Sequence, residues 1–377
     1  NRWPRRTMLV SLDLVRAAVA LCLPFVSEVW QVYVLIFVLQ SASAAFTPTF
    51  QATIPDILPE EDRYTRALSL SRLAYDLENI ISPTLAAIFL AFVSYQALFF
   101  GTVIGFIGSA LLVVSVLLPS PQETTRRGVY DRTTRGLRIY LATPRLRGLL
   151  SLNLAAAAAG AMVLVNTVVL VRSDLGFGDT QVALALAAFG GGSMLAALIL
   201  PRLLDSRPDR PVMIVGAAVL VVTLLGLAAL TVINGLGWFP LLAGWLVIGV
   251  GYSAVLTPSG RLLKRSAHAE DRPAVYAAQF ALSHACWLVA YPLAGWLITE
   301  SGAATALAVL ALLAAAGMAG GIYLWPRDDA DVVEHSHDDL PADHPHVQNG
   351  RSHSHRIVID DYHQHWPRFR KPENPPG

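Results

Sequence analysis

The sequence predicts an all-α membrane protein with ten visible spans, and three observations predict it. Apolar runs of about 20 residues, enough to cross a bilayer as a helix, recur along most of the chain. Hydrophobic residues make up 54% of the 377 and charged residues 15%, where a soluble protein carries roughly 25% charged. The cations fall almost entirely in alternate loops. The runs lack the two-residue alternation of a membrane barrel. A formal net charge of +1 excludes a strongly basic nucleic-acid surface. Cys22 and Cys286, both in apolar runs, exclude a disulfide framework or a cysteine zinc site.

In chain order the spans are Met8–Phe25, Trp30–Thr53, Leu68–Val93, Leu98–Leu118, Leu149–Val171, Gln181–Leu200, Val212–Ile233, Trp238–Thr257, Val275–Ile298 and Ala303–Trp325. Trp30, Trp238, Trp296 and Trp325 stand near predicted ends, where amphipathic rings favour the headgroup layer. With the N-terminus in the cytoplasm, every Lys and Arg except Arg16 and Arg172 falls in an inside segment. By the positive-inside rule both visible termini are then cytoplasmic, in an inner or plasma membrane. Pro119–Arg147 is the longest and most basic connection. It reads either as an amphipathic helix lying on anionic lipid or as a charged linker.

The chain also repeats. Thr47-Pro48-Thr49 recurs as Thr257-Pro258-Ser259, Glu61-Asp62-Arg63 as Glu270-Asp271-Arg272, and Pro83 as Pro292, at offsets of 210, 209 and 209. Asn1-Arg2-Trp3-Pro4-Arg5-Arg6 matches Asp205-Ser206-Arg207-Pro208-Asp209-Arg210 at offset 204. The second copy has two spans before its loop and the first has none, so two helices are expected to precede Asn1. The expected domains are 1–118, the remainder of a first bundle (helices three to six), and the basic linker 119–147. A six-helix bundle at 148–326 (helices seven to twelve) and a His-rich, largely disordered cytoplasmic tail at 327–377 follow.

On these residues the chain resembles the major facilitator superfamily, whose loop between helices two and three reads Asp-Arg-x-Gly-Arg-Arg. Asn1–Arg6 departs from it with Asn for Asp and Pro for Gly. The run from Leu175-Gly176 through Gly190-Gly191-Gly192 to Arg202 is similar to its macrolide-efflux-type branch. The resemblance implies a 6+6 pseudo-repeat of two bundles rocking about a central site. It also implies a gating or structural role for Arg2, Arg5, Arg6, Asp205 and Arg210, and a monomer.

Charged residues inside spans usually face the protein interior. Asp13 and Arg16, three apart, share a helix face and can form a structural pair near the gate or take part in coupling. Asp76 and Glu78 lie deeper in their span. A buried carboxylate can load and release a proton, which suits a proton antiporter or a cation site; the alternative is a salt-bridged structural pair that uses Arg72. At offset 209, Tyr75 maps onto His284 and Glu78 onto Trp287, so Tyr75 and His284 are expected on pseudo-symmetric, cavity-lining helices. Asn153 and Asn166 read either as cavity lining or as interhelical hydrogen bonders.

The tail from Arg327 carries six basic and ten acidic residues and eight of the ten histidines, all in His-x-His pairs. These are His335/His337, His344/His346, His353/His355 and His363/His365. In extended chain, alternate side chains share a face about 6 to 7 Å apart, within reach of one ion. Imidazole suits nickel, cobalt and zinc, so the tail is a candidate metal binder. It is similar to that of nickel-resistance permeases. Arg356–Asp360 could form a short strand or dock on the bundle.

No catalytic constellation appears at any helix end, so the chain is not read as an enzyme and no resident cofactor is expected. The function expected is secondary active transport across a lipid bilayer: a proton-coupled exporter, with a divalent nickel- or cobalt-type metal as cargo. The alternatives are efflux of amphiphilic drugs or metabolites beside an incidental tail, and a non-transporting membrane metal sensor.

Overall fold

The computed structural model describes residues 4–90, 92–116, 118, 128–329, 332–336, 352–363 and 365–366. Each apolar run becomes a helix, because backbone polar groups in lipid must be satisfied within their own segment. The first bundle contains α1 (Arg5–Cys22), α2 (Val29–Ile57), α3 (Glu61–Leu90) and α4 (Tyr95–Ser115). The second contains α6 (Pro144–Val168), α7 (Asp179–Ser206), α8 (Asp209–Asn234), α9 (Trp238–Leu256), α10 (Ser259–Arg265) and α11 (Arg272–Leu324).

Eight helices are long and apolar enough to cross a membrane among the described residues. One of them, α11, turns at Gly302, where φ is +77°, a conformation that glycine adopts without strain. Its two arms supply the ninth and tenth expected spans. The remaining span, α3, has the length but carries Arg63, Arg66, Arg72, Asp76 and Glu78. The ten-span reading therefore matches the fold.

Small residues set the packing of the second bundle. Gly192 of α7 lies against the carbonyl of Leu246, and Gly249 of α9 against that of Phe189, leaving no room for a Cβ at either position. On α6, Ala155–Ala161 is buried throughout. Such residues let helix backbones approach closely, the main source of association where lipid cancels the hydrophobic drive.

The linker is a helix in part: α5 (Val129–Ala142) packs on α11 with Ile139 and Tyr140 buried. Packing on protein, rather than lying on lipid alone, is what its apolar face does here.

In the tail, β1 (Val332–Ser336) and β2 (Ser352–Arg356) form an antiparallel hairpin. Ile357, Val358 and Ile359 then dock on the body and are buried. Three consecutive β-branched apolar residues gain more from burial than they lose in freedom.

Candidate functional site

The two bundles meet at the end that carries the linker, the tail and most of the cations. Asp56 of α2 accepts from Arg5 of its own bundle and from Arg272 Nη1 of the other, the latter at 2.5 Å. Arg261 of α10 reaches Glu61 Oε1 at 2.7 Å and Thr65 Oγ1 at 2.9 Å across the interface. On its own side it pairs with the buried Asp209 at 3.1 Å, as does Arg265. Tyr64 and Tyr276 share a buried hydrogen bond of 2.7 Å between the bundles, and Lys264 donates to the Pro59 carbonyl. Gly260 lets this layer close, since a Cβ there would lie 2.7 Å from the Tyr64 hydroxyl.

The repeat is written into this layer with its charges exchanged. The offsets relate Arg5 to Asp209 and Asp56 to Arg265, and both pairs form. Arg6 donates to the Val114 carbonyl at the end of α4, while its repeat mate Arg210 donates to Trp325 and Ile322 carbonyls at the end of α11. Arginine satisfies the terminal carbonyls of the last helix in each half. The acid with the structural role in the second half is Asp209. Asp205, expected to act there, is exposed on the surface. Arg2 lies outside the described residues.

Further in, about 12 Å past Tyr64 along α3 at 1.5 Å per residue, Arg72 crosses between the bundles. Its Nε donates to Ser193 Oγ of α7 at 3.1 Å. Its guanidinium carbon lies 4.7 Å from the centre of the Tyr252 ring of α9 and 5.2 Å from that of Tyr75. Tyr252 in turn packs against Phe189 (5.4 Å) and Trp287 (6.2 Å), and Trp287 against Tyr291 (4.8 Å). Gly160 of α6 seats this wall: a Cβ there would strike Trp287 and approach Tyr252.

The expected site residues divide around this cluster. Tyr75 belongs to it. Glu78, one turn beyond Tyr75, is exposed on the helix that faces the second bundle. Asp76 is on α3, and its side chain lies outside the described residues. His284 is exposed, stacks on Phe280 and donates from Nδ1 to the Phe280 carbonyl at 2.7 Å. Asn166 is fully buried and bridges α6 to α11 through the Ala294 carbonyl at 3.1 Å, whereas Asn153 bonds within α6 to Leu149. Asp13 is buried with Arg16 and accepts from Ser109 Oγ at 2.8 Å. Arg16 is sandwiched by Phe46 and Phe106.

Sequence reasoning missed Asp56, Arg261, Arg265 and Tyr276 of the ion-paired layer, and it missed Tyr252 and Tyr291. It counted Arg72 among the cytoplasmic cations, although the structure carries it about two helical turns past that layer. An arginine within an apolar helix was the available signal.

The docked tail makes a third cluster. Asp360 accepts from the backbone N–H groups of Tyr362 and His363 and pairs with His363 Nδ1 at 2.9 Å and His268 at 3.4 Å. Hydrogen bonds from His268 and His363 outweigh its burial and hold its carboxyl well below the usual range. The Asp360 hydrogen bond raises the His268 pKa. Arg135 of α5 bridges Asp361 (2.7 Å) and Asp271 (2.5 to 2.8 Å). Arg135, His268, Glu270 and Asp360–Tyr362 line a cavity of about 490 Å³. His363 is buried in this cluster and His365 is exposed. His337, His344 and His346 lie outside the described residues. Among the described residues no group of three His, Cys, Asp or Glu is placed to hold a metal ion.

A sequence profile described as the Major Facilitator Superfamily matches residues 1–169 and 149–344. The uncharacterized MFS-type transporter YfiS of Bacillus subtilis is 27% identical over 54% of this chain and 49% of its own length. Macrolide efflux protein A of Enterococcus faecalis is 27% identical over 32% of this chain and 38% of its own. The chain thus spans about half or less of either relative. The human organic anion transporter MFSD10 superposes with a TM-score of 0.71 at 13% identity, covering 84% of this chain and 77% of its own. The transporter FucP in its outward conformation superposes at 0.63 and 12% identity, covering 85% and 83%. Likeness at such identities speaks for the fold alone.

Proposed function

The chain belongs to the major facilitator superfamily, and from that premise we propose that it is a proton-driven exporter of amphiphilic organic solutes. One observation carries the reading: an aromatic, arginine-bearing cluster joins the two bundles just inside a layer of ion pairs that seals one end. Alternating access needs a site between the bundles and a gate whose contacts can break when they rock. The cation bias of the loops assigns the sealed end to the cytoplasm of the cell membrane. The macrolide-efflux relative supports an amphiphilic cargo. Glu78, an exposed carboxylate near the middle of α3, is the proton carrier in this reading.

Everted vesicles from cells expressing the protein test this reading. Adding a transported macrolide should dissipate an imposed acid-inside gradient, and Glu78→Gln should abolish that response. Flux that ignores the gradient would sink proton coupling. No flux of any solute, with a metal-dependent signal, would favour a membrane sensor.

A second reading concerns the tail, as a binder of nickel, cobalt or zinc. The strand register pairs His335 with His353 and Val333 with His355. Nickel titration of the protein by calorimetry tests it: replacing these three histidines with Ala should remove the tightest site. The tail then collects or senses metal at the cytoplasmic mouth, and a metal cargo would require flux of the same ion.

A further inference from the structure

We propose that the docked tail segment 357–363 braces the cytoplasmic gate, by holding the turn 266–271 from which the second bundle reaches the first. This goes beyond the exporter reading and rests on it only in taking the ion-paired layer as a gate. The residues that cross that layer from the second bundle stand on either side of this turn. Arg261 and Lys264 of α10 precede it and meet Glu61, Thr65 and the Pro59 carbonyl. Arg272 and Tyr276 of α11 follow it and meet Asp56 and Tyr64.

The tail grips the turn at two points. Asp360 holds the His268 ring at 3.4 Å, and the His268 carbonyl accepts the backbone N–H groups of Asp271 and Arg272, each at 3.0 Å. Arg135 of α5 donates to both carboxylate oxygens of Asp271 and also to Asp361 at 2.7 Å. α5 itself sits against the first turn of α11, where a Cβ on Gly136 would lie 2.1 Å from the Ala274 carbonyl oxygen. One chain of bonds thus runs from Asp360 to His268, on to the Arg272 backbone, and through the Arg272 side chain to Asp56 of α2. A turn held in one conformation has already lost the freedom that its flanking residues would otherwise lose on pairing, so the gate contacts form at less cost. The grip can also be released. Beyond the buried Ile357, Val358 and Ile359 it is made of polar contacts, and a cavity of about 490 Å³ is lined by both the segment and the turn. Segments with few apolar contacts open locally at low cost.

Two variants of the full chain release the segment by different routes. Val358→Asp puts a charge at a buried position, and Asp360→Ala removes the acceptor that joins His268, Tyr362 and His363. Hydrogen exchange of 357–363 reports release, and thermal unfolding reports folding. Spin labels at Asp62→Cys and Arg207→Cys, both exposed and one on each bundle, report the distance across this end. Each variant should quicken exchange, and the longer distance component should gain about twofold or more in population. Wild-type distances in a folded variant whose segment is released overturn the brace. Unchanged exchange in both variants overturns it as well, because these contacts then do not hold the segment. The distances are read without cargo, so a protein that moves no solute still decides the point. Opening by Asp56→Asn with Glu61→Gln, but not by tail release, leaves the gate standing and overturns the brace; opening by neither overturns both.

Discussion

Buried charge in this chain serves two different purposes, and single residues tell them apart. Asp13 and Arg16 are both within one bundle, held by each other, by Ser109 and by two phenylalanine rings. Asp13→Asn should therefore lower stability by about 3 to 5 kcal/mol, the cost of stranding a buried partner, with the proton response in vesicles unchanged. Thermal unfolding in detergent, paired with the vesicle measurement, checks both halves. Arg72 instead joins the two bundles, through Ser193 and Tyr252. The Asp13–Arg16 pair was legible from a spacing of three. The environment of Arg72 was not, because Ser193 and Tyr252 lie 121 and 180 residues away in the chain.

At the scale of elements, close helix contact and tail docking make separate predictions. Gly249→Val forces α9 away from the Phe189 carbonyl of α7 and should cost about 1 to 3 kcal/mol by overpacking, read as an earlier thermal transition. Docking of Ile357–Tyr362 depends on Asp360 and His268, surrounded by Arg135, Glu270, Asp271, Asp361 and His363. The raised His268 pKa contributes stability that is complete below its ordinary value and lost as pH rises through the raised one. The lowered Asp360 pKa contributes stability that is present above its ordinary value and lost only in strong acid. Docking should thus be firmest between about pH 4 and about pH 6.5 and loosen above that window. Trypsin cleavage after the exposed Arg356 should quicken from pH 6.5 to 8.5 in the wild type, beyond any change seen in His268→Gln. Equal pH dependence in the two proteins would refute the role of this pair. The helical spans themselves were readable from apolar length. Docking was foreseen as one option at Arg356–Asp360, and its partner surface on α5 and the 266–271 loop was not.

For the whole molecule, the gate is the prediction. The interbundle pairs Asp56–Arg272 and Glu61–Arg261 hold one end shut in this structure. The double substitution Asp56→Asn with Glu61→Gln should shift the population toward a state open at that end. Spin labels at Asp62→Cys and Ala269→Cys, one on each bundle, should then report a longer distance component by pulsed electron resonance. An unchanged distance distribution would mean that the tyrosine pair and packing hold the gate without these charges.

By itself the sequence determined a multi-pass helical membrane protein with an internal repeat. Apolar run length, loop charge and a repeat at nearly one offset are local or periodic properties, and they survive without knowledge of contacts. Only the tertiary structure decided which charges pair within one half and which pair across the two. A residue's role there depends on partners brought from the other repeat. The exchange of Arg5–Asp56 for Asp209–Arg265 makes the point: similarity of letters hides it, since the charges are swapped, while the pairing geometry shows it plainly.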